Sequence, residues 1–136
     1  MNRLFPLAAV ALLCCGCTRP TDVAVQFHEA LRAGNGAKAF SLLSKPTQDK
    51  LAEVAKKAHD ASAGAVSDDP ALMIAHGDPA LYPPPTQGQP KAARATMLSA
   101  TGPRAKVMVH LGEAAHEMDL VKEGGRWRID LPIGGP

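Results

Sequence analysis

Apolar residues recur at intervals of three and four along residues 21–62 and at intervals of two along residues 94–131, so the chain divides into a helical part and a strand part. In "TDVAVQFHEALRAGNG", Val23, Phe27, Ala30 and Leu31 fall on one helical face. Thr21 is placed to cap the start of that helix, and the stretch from Gly34 to Gly36 ends it. "AKAFSLLS" predicts a short second helix presenting Phe40 and Leu43. Pro46 interrupts, and a third helix is predicted from Thr47 to Ser62 with Leu51, Val54, Ala55, Ala58 and Ser62 aligned. Its outer face pairs Glu53 with Lys57 and Lys56 with Asp60 at four-residue spacing.

Between residues 64 and 90 the periodicity is lost and alanine, glycine and proline dominate. "DPALMIAHG" has room for one or two helical turns, while "YPPPTQGQP" lacks the backbone donors that regular structure needs. This stretch reads as a loop crossing from helices to sheet. A flexible linker would need a second domain after it, and only residues 91–136 remain.

Those residues alternate. In "AKVMVHLGEAAHEMDLVKEGGRWRIDL", Gly112 and the Gly124–Gly125 pair suit tight hairpins. A two-residue turn at Gly112 and Glu113 sets Val109 beside His116, Val107 beside Met118 and Ala105 beside Leu120, all on one face, with Lys106 opposite Asp119 on the other. A turn at Gly124 and Gly125 adds Leu120 beside Ile129, Met118 beside Leu131 and Glu123 beside Arg126. "RATMLSA" is a further strand. Three helices followed by a meander predict an α+β domain, its N-terminal helices packed on an antiparallel sheet.

The first residues do not belong to that pattern. Arg3 and then an apolar run from Leu4 to Leu13 have the layout of an export signal. The run is about half the roughly 20 residues a membrane-spanning helix needs. It leads to "LLCCGCTRP", which holds all three cysteines of the chain. A small residue, Gly16, directly before Cys17 resembles the lipobox of bacterial lipoproteins. The resemblance implies that residues 1–16 are a signal peptide, that Cys17 carries covalent lipid as the first mature residue, and that residues 17–22 form a tether to a domain spanning 23–136. Thr18 in place of Asp implies sorting to the outer membrane, facing the periplasm. An ordinary secretory cut would instead fall after Cys17, with Cys15 and Cys17 as the small residues. In both cases Cys14 and Cys15 leave with the signal, and the domain folds without a disulfide.

Cleavage before Cys17 leaves 120 of the 136 residues, enough for one domain burying about two thirds of its unfolded surface. With Arg3 gone, 14 of the 15 basic residues face 13 acidic ones, a net charge of +1. Interspersed charges near neutrality, with Phe27, Phe40, Tyr82 and Trp127 as the remaining aromatics, argue against nucleic acid as a partner.

The segments "VAVQFHEALRAGNGAKAFSLLS" and "LVKEGGRWRIDLP" resemble the opening helix pair and closing hairpin of the nuclear transport factor 2-like superfamily, a cone-shaped α+β roll that includes bacterial lipoproteins and secreted domains of unknown function. The resemblance implies a curved sheet enclosing a space under the helices. Both signatures are structural and specify function weakly. Enzymes of that superfamily work inside the cone with a buried Asp and a His or Tyr.

Here parity places Asp119 and Asp130 on the outer face, and Tyr82 lies in the proline-rich stretch. His116 is the one histidine the pattern turns inward, and general acid–base work needs a partner within reach. His110 faces away from it, His28 and His59 flank helical stripes, and His76 lies in the loop, so no metal ligand set is predicted. No Gly-x-Ser-x-Gly elbow is present. Trp127 has two readings, as core packing or as the wall of a small apolar pocket. Residues Phe27, Val109, His116, Met118, Trp127 and Ile129 are the candidates for lining such a pocket. The sequence thus predicts a lipid-anchored envelope module without catalytic role or cofactor, binding a small apolar ligand or another envelope protein. The alternative is an enzyme of the same fold acting on a small apolar molecule.

Overall fold

A computed structural model of the chain describes residues 18–76 and 92–133. Cys17 and Tyr82, like the tripeptide Pro83–Pro85, lie outside the described residues. The elements in chain order are α1 (Pro20–Arg32), α2 (Gly36–Ser41), α3 (Lys45–Ala61), α4 (Pro70–His76), β1 (Arg94–Thr101), β2 (Arg104–Leu111), β3 (Ala114–Glu123) and β4 (Arg126–Asp130). The architecture is α+β: helices cover one face of an open four-stranded antiparallel sheet in the order β1-β2-β3-β4.

Helix α1 starts earlier than its predicted cap. Pro20 occupies the first helical position, where a missing N–H is harmless, and Arg19 rather than Thr21 is the N-cap residue. The backbone N–H of Arg19 donates to the Asp22 carboxylate at 3.3 Å. Residues 20–22, expected in the tether, therefore form the first helical turn, with Pro20 buried. At the other end Gly34 adopts a φ of +69°, and the N–H of Asn35 donates to the Ala30 carbonyl at 2.8 Å, closing the helix in a left-handed turn. The Asn35 side chain then caps α2 by accepting from the Lys38 N–H at 3.0 Å.

Gly36 lies inside α2 instead of ending α1, and the reason is packing. A Cβ built on it would fall 2.0 Å from the Ala71 carbonyl oxygen and 2.9 Å from the Ala75 Cβ, so α4 rests directly on the backbone of α2. The segment predicted to hold one or two helical turns thus holds a helix of 7 residues, packed on α2 and α3. Pro46 likewise sits inside the first turn of α3 rather than before it. Leu51 and Ala55 of α3 are fully buried, and the predicted surface pairs form, Lys57 to Glu53 at 2.6 Å and Lys56 to Asp60 at 2.9 Å.

The strand register follows the parity of the sequence. Val109 pairs with His116, Val107 with Met118, Ala105 with Leu120 and Lys106 with Asp119. Leu120 pairs with Ile129 and Glu123 with Arg126. Leu131 falls one residue past the end of β4, beyond the last paired position. β1 joins β2 with a bulge between Met97 and Ser99, where Met97 and Leu98 remain exposed. The edge of β4 is taken up by the α2–α3 connection. The Ser44 N–H donates to the Ile129 carbonyl at 2.7 Å, and the Ile129 N–H donates to the Leu42 carbonyl at 2.9 Å.

Replacing Gly36 with Ala tests the α2–α4 contact. Helix propensity alone favours Ala by about 1 kcal/mol. A Cβ against a backbone carbonyl is expected to reverse that sign and lower stability by about 1–3 kcal/mol. A lowered urea midpoint at unchanged slope is the expected result.

Candidate functional site

The inner face of the sheet gathers most of the residues anticipated there. Phe27 of α1, Val109 of β2, Met118 of β3 and Ile129 of β4 are buried in one contiguous apolar cluster. Val109, Met118 and Ile129 reach it because they share the pleat phase set by the two hairpins. Trp127, two residues before Ile129, shares that phase but lies toward the strand end, partly buried against the margin of the cluster. The Lys122 ammonium, on the paired residue of β3, stands 5.8 Å from the centre of its ring.

His116 follows the same parity and is half-buried, but it is not alone. The ring of His28 on α1 meets it edge to face, with centroids 5.2 Å apart and planes inclined at 64°. His28 is 5 % exposed, and Phe27 beside it makes a second edge contact at 5.7 Å. Burial, and secondarily the charge His116 would carry, pushes the His28 pKa down to about 4. Burial lowers His116 as well. Both imidazoles are accordingly neutral near pH 7, each with one N–H and one lone pair. The helical stripe of the sequence held a signal for this contact: Ala24, Phe27, His28 and Leu31 are neighbours at i, i+3, i+4 and i+7, and His28 completes that face.

The remaining histidines are dispersed. The ladder puts His110 opposite Ala115, on the face away from His116, and it is exposed. The Nδ1 of His59 meets the Val66 carbonyl at 2.7 Å, closing the turn after α3. Among the described residues no group of three or more His, Cys, Asp or Glu side chains could hold a metal ion.

A second polar constellation joins α3 to the end of β4. Asp130, placed on the outer face by parity, turns its carboxylate to two buried hydroxyls, Ser44 Oγ at 3.1 Å and Thr47 Oγ1 at 3.3 Å. The two hydroxyls are 2.8 Å apart, and the Leu131 N–H donates to Thr47 Oγ1 at 3.2 Å. Ser44 also caps α3, its oxygen accepting from the Thr47 N–H at 3.3 Å. Arg104 approaches the far carboxylate oxygen at 3.6 Å. The described partners in this cluster include no imidazole, so Ser44 has an acidic neighbour without the base that a serine nucleophile requires. Its role is to join helix and sheet.

No family model, curated protein or solved structure matches the chain.

Thr47 both donates to Asp130 and accepts from the Leu131 backbone, so Thr47→Val leaves the Leu131 N–H without its acceptor and Asp130 with Ser44 as its remaining hydroxyl donor. The expected loss is about 1–3 kcal/mol, with Thr47→Ser recovering most of it. Thermal melts of the two variants beside wild type make the comparison.

Proposed function

We propose that this chain is a bacterial lipoprotein of the cell envelope, lipid-anchored through Cys17 and working as a binding module of the nuclear transport factor 2-like class. The observation that carries the reading is the succession of an apolar run, Gly16 and Cys17, followed three residues later by a helix with a buried first residue, Pro20. A folded domain that begins so soon after a candidate acylation site suits a protein held close to a bilayer. The order of helices and meander is compatible with the cone-shaped roll. Phe27, Val109, Met118 and Ile129 are closed to solvent. Their burial favours recognition of another envelope protein on the outside of the domain over capture of a small apolar ligand within it.

If Cys17 is acylated, the protein partitions with membranes and incorporates labelled palmitate, and Cys17→Ala does neither. A soluble, unlabelled wild-type protein would sink the anchoring.

One observation favours the second reading, an enzyme acting on a small molecule: His116 has His28 as an aromatic neighbour at 5.2 Å, which supplies the second titratable group that acid–base chemistry calls for. Complementation of a deletion strain by His116→Leu separates the two. A binding module is expected to tolerate the change, with stability altered by no more than about 1–2 kcal/mol. A folded, membrane-attached variant without function would favour catalysis, since general acid–base groups contribute about 10²-fold to 10⁴-fold in rate.

A further inference from the structure

Two imidazoles face each other where α1 crosses the sheet. The α2–α3 connection is tied to β4 by backbone hydrogen bonds at Ser44 and Ile129 and by the Ser44–Thr47–Asp130 cluster. α1 packs on the sheet through Val23, Ala24, Phe27 and Ala30, with His28 buried among them. A neutral imidazole serves as an aromatic packing group in that layer. A protonated one is a charge withdrawn from water, and a second proton would set two like charges across a 5.2 Å ring contact.

We propose that the His28–His116 contact is an acid-sensitive latch: proton uptake by the pair loosens α1 from the sheet, while α3 and the β4 edge stay in place.

Among the described residues, the charged groups of the surrounding elements have contacts of their own. Lys122 of β3 shares the pleat phase of His116 and holds its ammonium 5.8 Å from the Trp127 ring, and Arg104 of β2 approaches Asp130 at 3.6 Å. On α1, Glu29 and Arg32 pair with each other at 2.7 Å, and Asp22 accepts from the Arg19 backbone. On β3, Glu117 and Asp119 lie on the opposite face from His116, 3.2 and 3.4 Å from Lys106 of β2. His110 of β2 shares that outer face with its partner on β1, Arg94. On β4, Arg128 donates to the Ser41 carbonyl, Arg126 pairs in the ladder with Glu123, and Asp130 faces the hydroxyls of Ser44 and Thr47. Lys38 of α2 is exposed at the first turn of its helix.

The direction of the pH response follows from linkage. With a folded value near 4 against 6.5 for a solvated imidazole, His28 takes up its proton more readily when α1 is released. The latch is therefore fully closed above pH 6.5 and weakens as pH falls toward 4. Between pH 7 and pH 4.5 the opening equilibrium is expected to rise roughly 50-fold from His28 alone.

Amide hydrogen exchange on the full chain, read as protection factors for α1 against α3 from pH 7 to pH 4.5, tests this. The expected result is a selective fall of roughly 50-fold in α1 protection relative to α3. In His28→Phe, which keeps an aromatic edge and cannot take a proton, the fall is expected to disappear. Equal behaviour of α1 and α3 in wild type would overturn the latch, as would a folded His28→Phe that responds as wild type does. Should His28→Phe not fold, the wild-type ratio is decided alongside an NMR titration of the His28 ring. A midpoint near 4 supports the proposal, and one near 6.5 refutes it.

Discussion

The attachment of residues 42–44 to the edge of β4 is the joint on which this domain depends. Two backbone hydrogen bonds, from Ser44 to Ile129 and from Ile129 to Leu42, extend the sheet by one short parallel bridge at Leu43. The same three residues end α2 and begin α3, so the bridge fixes where both helices leave the sheet plane. It also occupies the backbone groups of an edge that would otherwise invite pairing with another chain. The Gln48 side chain donates to the Phe40 and Leu43 carbonyls at 3.0 and 3.2 Å, adding to the bond that Phe40 accepts from the Leu43 N–H at the end of the short helix.

Around that joint polar groups are buried only where their hydrogen bonds are complete. Ser44 and Thr47 are almost wholly removed from water, yet among the described residues no buried side-chain nitrogen or oxygen lacks a partner. Such a cluster is costly to interrupt and contributes orientation, because a hydroxyl accepts only a narrow range of approach. The apolar cluster supplies most of the gain from burial without directing it. The exposed ion pairs of α3, with more than half of each side chain in solvent, add little to either.

The histidine contact is of another kind. An imidazole in the layer between helix and sheet is tolerated while it is neutral, so its contribution to stability depends on pH in a way that a phenyl ring's would not. Such a dependence would belong to the interface whichever reading of function holds. A binding module would use it to change the surface it offers, and an enzyme would need at least one ring to exchange protons with substrate. The same geometry thus bears on both readings, and the side chain of His116 is where they part.

Strand register, hairpin positions and the apolar stripes of α1 and α3 were legible in the sequence, because each is set by local periodicity and by turns of two residues. Cys17 and the signal-like run before it also belong to the sequence alone. What the tertiary structure decided are contacts between residues distant in the chain: His28 with His116, Asp130 with Ser44 and Thr47, and Ala71 on Gly36. Parity assigns a residue to one face of a strand but does not tell that a helix end will abut it, which is why Asp130 looked solvent-facing. A helical stripe likewise has margins, and whether His28 at the margin of α1 meets solvent or a strand depends on the angle at which the helix crosses the sheet. That angle is set by how side chains from separate elements interdigitate, a quantity no local pattern contains.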